Sequence, residues 1–584
     1  MTSLSTRWGK QFNPDSPLSE YPRPQFRRPQ WLCLNGRYDY TVLPAHESAP
    51  GRFDGEIIVP YCIESSLSGV GRPLLPGQAL WYRRKFTTGA AFEGKRTLLH
   101  FGAVDWKCEV FVNGRTAGEH RGGYCPFYFD ITGLIKPGGE NELLVRAEDS
   151  TDAGCQPRGK QVLKTHGFWY TATSGIWQTV WLEAVDECHL ARLRLTPDID
   201  RQTVDVTAET STEGCRLFAK VSDGDHTVFS GEIGSHASIS IPSPKYWSPE
   251  APFLYDVVLE VKVGERVTDW VESYFGMRKF SVGRDGRGIP RLMLNNQPYF
   301  FKGLLDQGYW PDGLLTPACD EAMLYDIQTA KSLGFNMLRK HIKVEPLRWY
   351  YHCDKTGMIV WQDMPSGGPY IGNLKAGVLP LLGIRLKDTD HKRFGREDER
   401  GRENFEQELF EMLETLGSSV CVGCWVPFNE GWGQFDALRI AGAMKEYDPG
   451  RPVDHASGWY DQGGPDLKSI HRYILPVKKP RPDARPFVLS EYGGYSMKVN
   501  GHIWNWQKAF GYRMFKTQAA LTQAYRKLHD KQIIPLLDEG LSAAVYTQLS
   551  DVENEVNGLL TYDREILKID ADTVRDINVR LTID

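Results

Sequence analysis

Over the first 185 positions, apolar and polar residues alternate or run apolar in short stretches. "WYRRKFTT", "KRTLLHF", "CEVFVNGRTAGEH", "NELLVRAED" and "GIWQTVWLEAV" are of strand length, and turns such as "VNGR" and "PGGEN" separate them. No helical period interrupts them. The pattern predicts an all-β sandwich over residues 1–185. Residues 186–282 repeat the style in segments such as "ARLRLTPDI", "TVDVTAETS", "CRLFAKVSD" and "LYDVVLEVKV". Six or seven strands in about 95 residues is the size of an immunoglobulin-like sandwich. The Cys…Trp…Cys core is missing, so that expectation rests on strand count.

From 283 to 584 strand-like runs alternate with helical ones. "FKGLLDQ" precedes "TPACDEAMLYDIQTAKSLG", where Met323, Ile327, Ala330 and Leu333 keep helical spacing, with Pro317 suited to the helix start and Gly334 to its stop. "FNMLRK", "MIVWQD", "VCVGCWVPFN", "PVDHAS", "LKSIHRY", "FVLSE" and "AAVYTQL" complete eight strand candidates, most of them separated by helices. That rhythm predicts a (β/α)8 barrel. A doubly wound open sheet is the competing reading, but no Gly-rich phosphate loop follows any strand. A polar, Gly-rich insertion fills 366–404, and its charged part, 385–404, reads as a solvated loop.

Composition narrows the function. The chain has 584 residues, 41% hydrophobic and 24% charged, with a net charge of −5, so neither nucleic acid nor an anionic membrane is the expected partner. Seventeen Trp and 26 Tyr suit sugar stacking, although core packing accounts for most such rings. Eleven scattered cysteines show no disulfide spacing, and Cys421 and Cys424 fall in an apolar run that reads as a buried strand. The N-terminal stretch lacks the apolar core of a signal peptide, and no apolar run is long enough to span a bilayer. A cytoplasmic protein is the expectation.

A barrel carries its chemistry at the C-terminal ends of its strands. The residues there are Asp306, Arg339 and His341, Asp363, Asn429 and Glu430, His471 and Tyr473, Glu491, and Tyr546 with Gln548. Glu430 ends the fourth strand candidate amid Trp425, Phe428 and Trp432; Glu491 ends the seventh in "FVLSEYGGY". Two carboxylates facing across a pocket suit glycosidic cleavage: one protonates the leaving oxygen, the other meets the developing oxocarbenium carbon. Apolar crowding raises a carboxyl pKa, so Glu430 suits the acid. Glu491, beside Ser490 and two glycines whose amides could donate, suits the anion. The bland reading of either glutamate alone is a salt bridge or helix cap. A metal site drawing on His341, His471 and Asp363 is the rival, without any H-x-x-x-H or H-x-H motif to support it. No metal and no cofactor are expected.

With these residues in view, the sequence resembles the family 2 glycoside hydrolases, which include β-galactosidases, β-glucuronidases and β-mannosidases. "WLCLNGRYDY", "FGAVDWKCEVFVNG" and "YTATSGIWQTVWLE" look like the family's jelly-roll sugar-binding domain. "YWSPEAPFLYDVVLEV" looks like its immunoglobulin-like domain, "PFNEGWGQ" like its acid/base motif and "VLSEYGGY" like its nucleophile strand. The resemblance implies an exo-acting, retaining mechanism with Glu430 as acid/base, Glu491 as nucleophile, Asn429 on the sugar 2-hydroxyl and Tyr473 beside the nucleophile. Asp306, Arg339, His341, Asp363, Trp432, His471 and Tyr546 are the further expected substrate contacts. Two departures matter. Arg339 and His341 are only two residues apart, so His341 need not fill the family's usual histidine place. "DVENEVNGLL" has Asn557 and Gly558 but no lysine of the kind that holds a glucuronide carboxylate. β-Galactosidase-like activity is therefore expected first, with a galactofuranosidase, arabinosidase, β-mannosidase, β-glucuronidase or a non-catalytic sugar-binding protein as alternatives. A homo-oligomer is compatible with the sequence. Tyr309 and Trp310 could wall the sugar pocket or pack beneath a loop.

Overall fold

The computed structural model describes residues 4–372, 374–479 and 481–583; the first three positions of the 1–185 segment and position 373 of the insertion lie outside the described residues. The chain is multidomain. Its N-terminal part pairs a four-stranded antiparallel sheet (Trp31–Cys33, Val180–Val185, Arg96–Phe101, Phe127–Asp130) with a six-stranded one in which Gln78–Thr87 and Glu140–Glu148 are central. Inward residues of both sheets, among them Val59, Leu99, Val110, Val145 and Leu182, form one core. Alternation explains the outward polar faces: Lys107–Val112 reads half-buried, buried in strict turn.

A three-stranded and a four-stranded antiparallel sheet follow, seven strands from Leu190–Asp198 to Arg266–Phe275 around a second core. Cys188 and Cys215 are disulfide-bonded across this unit, with Cα atoms 6.5 Å apart. The reading of scattered cysteines missed that pair, because 27 residues of intervening chain give no local spacing signal.

The last part holds a seven-stranded parallel sheet: β1 Phe301–Asp306, β2 Met337–Lys340, β3 Ile359–Asp363, β4 Val422–Val426, β5 Lys468–Arg472, β6 Phe487–Gly493 and β7 Leu541–Thr547, in the order β4-β3-β2-β1-β7-β6-β5. Strands β2, β3 and β4 are buried at every position, as expected where helices cover the outer face of a parallel sheet. The helices are α1 Asp320–Ser332, α2 Leu347–Thr356, α3 Glu399–Leu416, α4 Ala437–Tyr447, α5 Gln518–Leu528 and α6 Ala571–Arg580. Between the edge strands runs the segment 452–457. Its Val453 and Ser457 bridge Trp425 and Asn429 in parallel, and the Ser457 hydroxyl reaches His471 Nε2 of β5 at 3.2 Å. The predicted fifth strand, "PVDHAS", is therefore an irregular stave held by bridges.

Two local expectations need correction. Pro317 does not open α1; the cap is Cys319, three residues before Ala322. The 385–404 stretch is a solvated loop only in part: Arg385, Lys387, Lys392 and Arg393 are exposed. Its end is already the first turns of α3, capped by the Asp398 side chain on Arg400 N at 3.2 Å, and Phe394 and Arg396 are buried.

One tie joins the two N-terminal units, and another fixes them to the parallel sheet. Arg28 donates to Glu183 at 2.7 Å and to Asp269 at 2.7 Å, all three buried, so one guanidinium joins both sandwiches. A strap, residues 155–171, crosses to the sheet's C-terminal mouth: Arg158 Nη1 donates to Gly368 O at 2.9 Å, and Thr171 N to Glu553 Oε1 at 2.7 Å.

Candidate active site

Above the C-terminal ends of the parallel strands lies a cavity of about 360 Å³. His341, Asn429, Glu430, Trp432, His471, Tyr473 and Glu491 line it, seven of the eleven expected site residues. Arg339 and Asp363 lie immediately beneath. Asp306 and Tyr546 are elsewhere.

The sequence "NEGWG" makes the turn that presents Glu430. Glu430 has φ 53°, in the left-handed region, and Gly431 and Gly433 follow at 69° and 64°. A non-glycine residue there costs about 1–2 kcal/mol. The Glu430 amide is held by Ser457 O at 2.9 Å. A Cβ on Gly431 would come 2.4 Å from the Tyr460 ring, so the glycine is required sterically as well. Glu430 Oε1 lies 2.9 Å from His471 Nδ1, and the Glu430 side chain is 24% exposed. The expected aromatic crowding is only partly present. Trp432 lines the cavity, but Trp425 turns outward to give its indole N–H to Asp448, and Phe428 stacks on Phe405. Trp425 and Phe428 belong to the shell beneath the helices.

Glu491 is 4% exposed. Arg339 Nη1 donates to its Oε1 at 3.2 Å, and the Tyr473 hydroxyl donates to Oε2. Glycine amides do not hold it, contrary to expectation; Gly494 N donates instead to Thr547 O. Burial pushes the Glu491 carboxyl up, but the charges of His471, His341, Arg339 and Lys160 outweigh that and hold it well below the ordinary carboxylate range. Burial also pushes the His341 ring far down, so it is neutral near pH 7. With His341 neutral, the permanently charged Arg339 is one partner that keeps Glu491 ionised at neutral pH. Burial and Glu491 together push the Tyr473 hydroxyl up, which leaves it a donor.

Arg339 organises the floor. It forks onto Asp363 at 2.9 and 3.0 Å, and its Nη2 donates to Asn429 Oδ1 at 2.9 Å. His341 Nδ1 lies 2.7 Å from Asp363 Oδ2. Asn429 is thereby fixed with its amide nitrogen free to turn to the cavity. Glu430, His471 and Glu491 each bring one ligand atom within 4.8 Å of the others, so they are the set that would hold a cation. In this arrangement Glu491 is already occupied by Arg339 and Tyr473, and His471 by Ser457 and Glu430.

Strand parity explains the two misplaced residues. Successive side chains on a strand face opposite sides. Leu305 and Gln307 face the cavity, whereas Asp306 faces away and binds Lys340 Nζ at 2.7 Å. Thr547 faces the cavity, whereas Tyr546 packs outward against Tyr492, Tyr525 and His529. Tyr309 and Trp310 are packing residues, against Tyr170 and under Arg564 respectively.

Sequence reasoning missed the other walls. The strap supplies Lys160, Phe168 and Trp169, and the Trp169 ring meets Trp432 edge-on at 4.7 Å. The insertion supplies Tyr370, Ala376 and Gly377, and a late loop supplies Glu555, whose carboxylate accepts from Tyr170. The available signal was the length of "GCQPRGKQVLKTHGFWYTATS", an aromatic, basic stretch without strand period inside an all-β unit.

The profile described as "Glycosyl hydrolases family 2" matches residues 188–278, and that of the "Glycosyl hydrolase 2 galactose-binding domain-like" matches 74–177. Over these two segments the chain is similar to glycoside hydrolase family 2. Among similar proteins, a β-galactosidase of Thermoanaerobacter pseudethanolicus is 26% identical over 71% of this chain and 54% of its own length. A β-glucuronidase of Bacteroides fragilis is 25% identical over 70% of this chain and 61% of its own length. The chain thus spans about half to three fifths of these curated relatives. A β-D-glucuronidase structure from Dictyoglomus thermophilum superposes with a TM-score of 0.74 over 96% of this chain and 98% of that one, at 16% identity. A β-galacturonidase structure from Eisenbergiella tayi, bound to galacturonate, gives 0.71 over 96% and 99%, at 18% identity. These two likenesses speak to the fold.

Proposed function

We propose that the protein is an exo-acting, retaining β-glycosidase, with residues 1–185 as a jelly-roll unit, 186–282 as an immunoglobulin-like unit and 283–584 as a (β/α)8 barrel closed by the 452–457 stave. One observation carries the chemistry: carboxylate oxygens of Glu430 and Glu491 approach within 4.8 Å. Retaining enzymes keep their carboxyls about 5–5.5 Å apart, whereas inverting ones leave about 6.5–9.5 Å for a water.

In this reading Glu491, held ionised by Arg339 and Tyr473, attacks the anomeric carbon while Glu430 gives its proton to the leaving oxygen. The aglycone departs and a glycosyl ester on Glu491 remains. Water then attacks the same carbon, Glu430 takes its proton, and Glu491 is released. Asn429, pinned by Arg339, donates to the sugar 2-hydroxyl, where a hydrogen bond strengthens as charge develops. His471 touches both carboxylates and carries Glu430 through its two protonation states.

For the sugar, a neutral β-hexoside of the galactoside type is the first reading. The Glu555 carboxylate in the cavity wall accepts hydroxyls and repels a uronate. A second reading is an acidic sugar, favoured by Lys160. Its ammonium reaches the cavity with no ion pair among the described residues, so it supplies the cation that the sequence lacked at Asn557. Both readings are tested by a panel of aryl galactosides, glucosides, mannosides, glucuronides and galacturonides with Glu491→Gln alongside. Cleavage of one sugar, a rate loss of several powers of ten in the variant, and trapping of Glu491 by a 2-fluoro glycoside are expected. An intact rate in Glu491→Gln would overturn the assignment.

A further inference from the structure

The cavity is polar at its floor and apolar at its mouth. Glu491, Asn429, His341 and Gln307 line the floor, while Trp459, Ile474, Leu475, Tyr370, Ala376 and Gly377 line the approach past Glu430. The Glu430 side chain is the more exposed carboxylate, 24% against 5% for the Glu491 side chain. A leaving group protonated by Glu430 must therefore sit towards that mouth.

The mouth residues are unusually bare for apolar side chains. Ile474 is 77% exposed and Leu475 50%, just beyond β5; on the insertion that supplies Ala376 and Gly377, outside the cavity lining itself, Leu374 is 61%, Val378 47% and Leu382 69% exposed. Apolar surface that is contiguous with a cavity and uncovered marks a binding site more often than chance. The insertion is held in place over the cavity, since Tyr460 donates to Lys375 O and Gln462 Nε2 to Leu386 O at 3.0 Å. The polar side chains on this approach are Arg472, the Trp459 indole and Tyr370, beside the apolar Ile474, Leu475 and Ala376.

We propose that the mouth is a leaving-group subsite for an apolar, planar aglycone, aromatic or polycyclic, and not for a further sugar. The inference rests on the glycosidase reading for its direction, with the sugar at the floor and the aglycone at Ile474, Leu475 and the 370–382 segment.

The test compares methyl, hexyl and 2-(2-naphthyl)ethyl glycosides, and a disaccharide, all carrying the sugar found active. The ratio of kcat/KM for the naphthylethyl over the methyl glycoside should exceed about tenfold, and the disaccharide should be the poorer substrate. In the double variant Ile474→Ser, Leu475→Ser that ratio should fall by about tenfold. Free 2-naphthol, titrated by its fluorescence into wild type, Glu491→Gln and the double variant, provides a readout independent of turnover. It should bind the first two alike and the double variant about tenfold more weakly. If no glycoside is cleaved but 2-naphthol still shows this pattern, the activity reading fails and the apolar subsite stands. Equal naphthol binding in all three, or a disaccharide preferred over the naphthylethyl glycoside, overturns the subsite. So does a dimer that the double variant dissociates while the substrate ratio stays fixed, because the patch would then be an interface.

Discussion

His471 Nδ1 lies 2.9 Å from Glu430 Oε1, and the same nitrogen is 3.7 Å from Glu491 Oε2. One imidazole thus stands between the two carboxylates, with Ser457 fixing its other nitrogen. Replacing His471 by Ala should lower kcat by about a hundredfold with a smaller change in KM, and the loss should be greater for glycosides of alkyl alcohols than for those of acidic phenols. An equal loss for both classes would mean that His471 only packs.

Glu430→Ala should separate substrates by leaving group. A glycoside of an acidic phenol needs no proton donor for its departure, so its glycosylation rate should fall little. A glycoside of an alkyl alcohol should lose about 10³-fold or more. The comparison of kcat/KM across leaving-group acidity checks it; equal losses for both classes would remove Glu430 from the acid role.

Glu491 carries a folded-state carboxyl pKa held below the usual range, so it is ionised above that value and its contribution has a definite sign. The stability it lends is present above the unfolded carboxyl pKa, about 4.3, and is lost as pH falls through its lower folded value, about 2. Arg339→Met removes the permanent partner and should raise the Glu491 pKa. The acid limb of kcat/KM should then shift to higher pH, and the acid unfolding midpoint should rise with it. Titration of both variants from pH 3 to 8 reads both shifts.

Lys160→Ala should discriminate between the two sugar readings. If the sugar carries a carboxylate, kcat/KM for the uronide should fall about a hundredfold, because a charge-assisted contact of about 1.5–3 kcal/mol is lost, while neutral glycosides change little. If the sugar is neutral, Glu555→Gln should be the more damaging substitution. Paired kinetics on a galactoside and a galacturonide decide it.

Tyr546 and Asp306 face away from the cavity, so their substitutions should behave as packing changes. Tyr546 has a buried hydroxyl whose polar neighbour is the Tyr495 backbone amide, beyond ordinary hydrogen-bond geometry. Tyr546→Phe should leave kcat/KM within about twofold and should not lower the melting temperature. Asp306→Ala leaves Lys340 paired only with Glu345 in a buried site and should cost about 3 kcal/mol in denaturant unfolding. A large kinetic defect in Tyr546→Phe would restore the strand-end reading.

Much of the architecture was legible in the chain. Period-2 alternation marks the antiparallel units, because one face of each strand is wet. Uninterrupted apolar runs such as "VGCWV" mark the parallel strands, because both faces are covered. Glu430 and Glu491 were legible too, because each is a charge at the end of an apolar strand. Parity at those ends was not. A strand's last residues face the cavity or the helices according to a one-residue register, which put Leu305, Gln307 and Thr547 in the site and Asp306 and Tyr546 outside it. Nor was the partnership of Glu491 legible: its cation comes from Arg339, 152 positions earlier, and not from the neighbouring glycines.

What the sequence determined by itself was therefore the order of elements and the two acidic strand ends, since both depend on contacts within a few residues. The tertiary structure alone decided who surrounds those acids. Lys160 and Trp169 reach the cavity only because the strap, pinned at Ser366, Gly368 and Glu553, crosses from one unit to another. The apolar mouth exists only because the insertion and the end of β5 meet over Glu430. Long-range packing places such residues, and nothing in local periodicity encodes it.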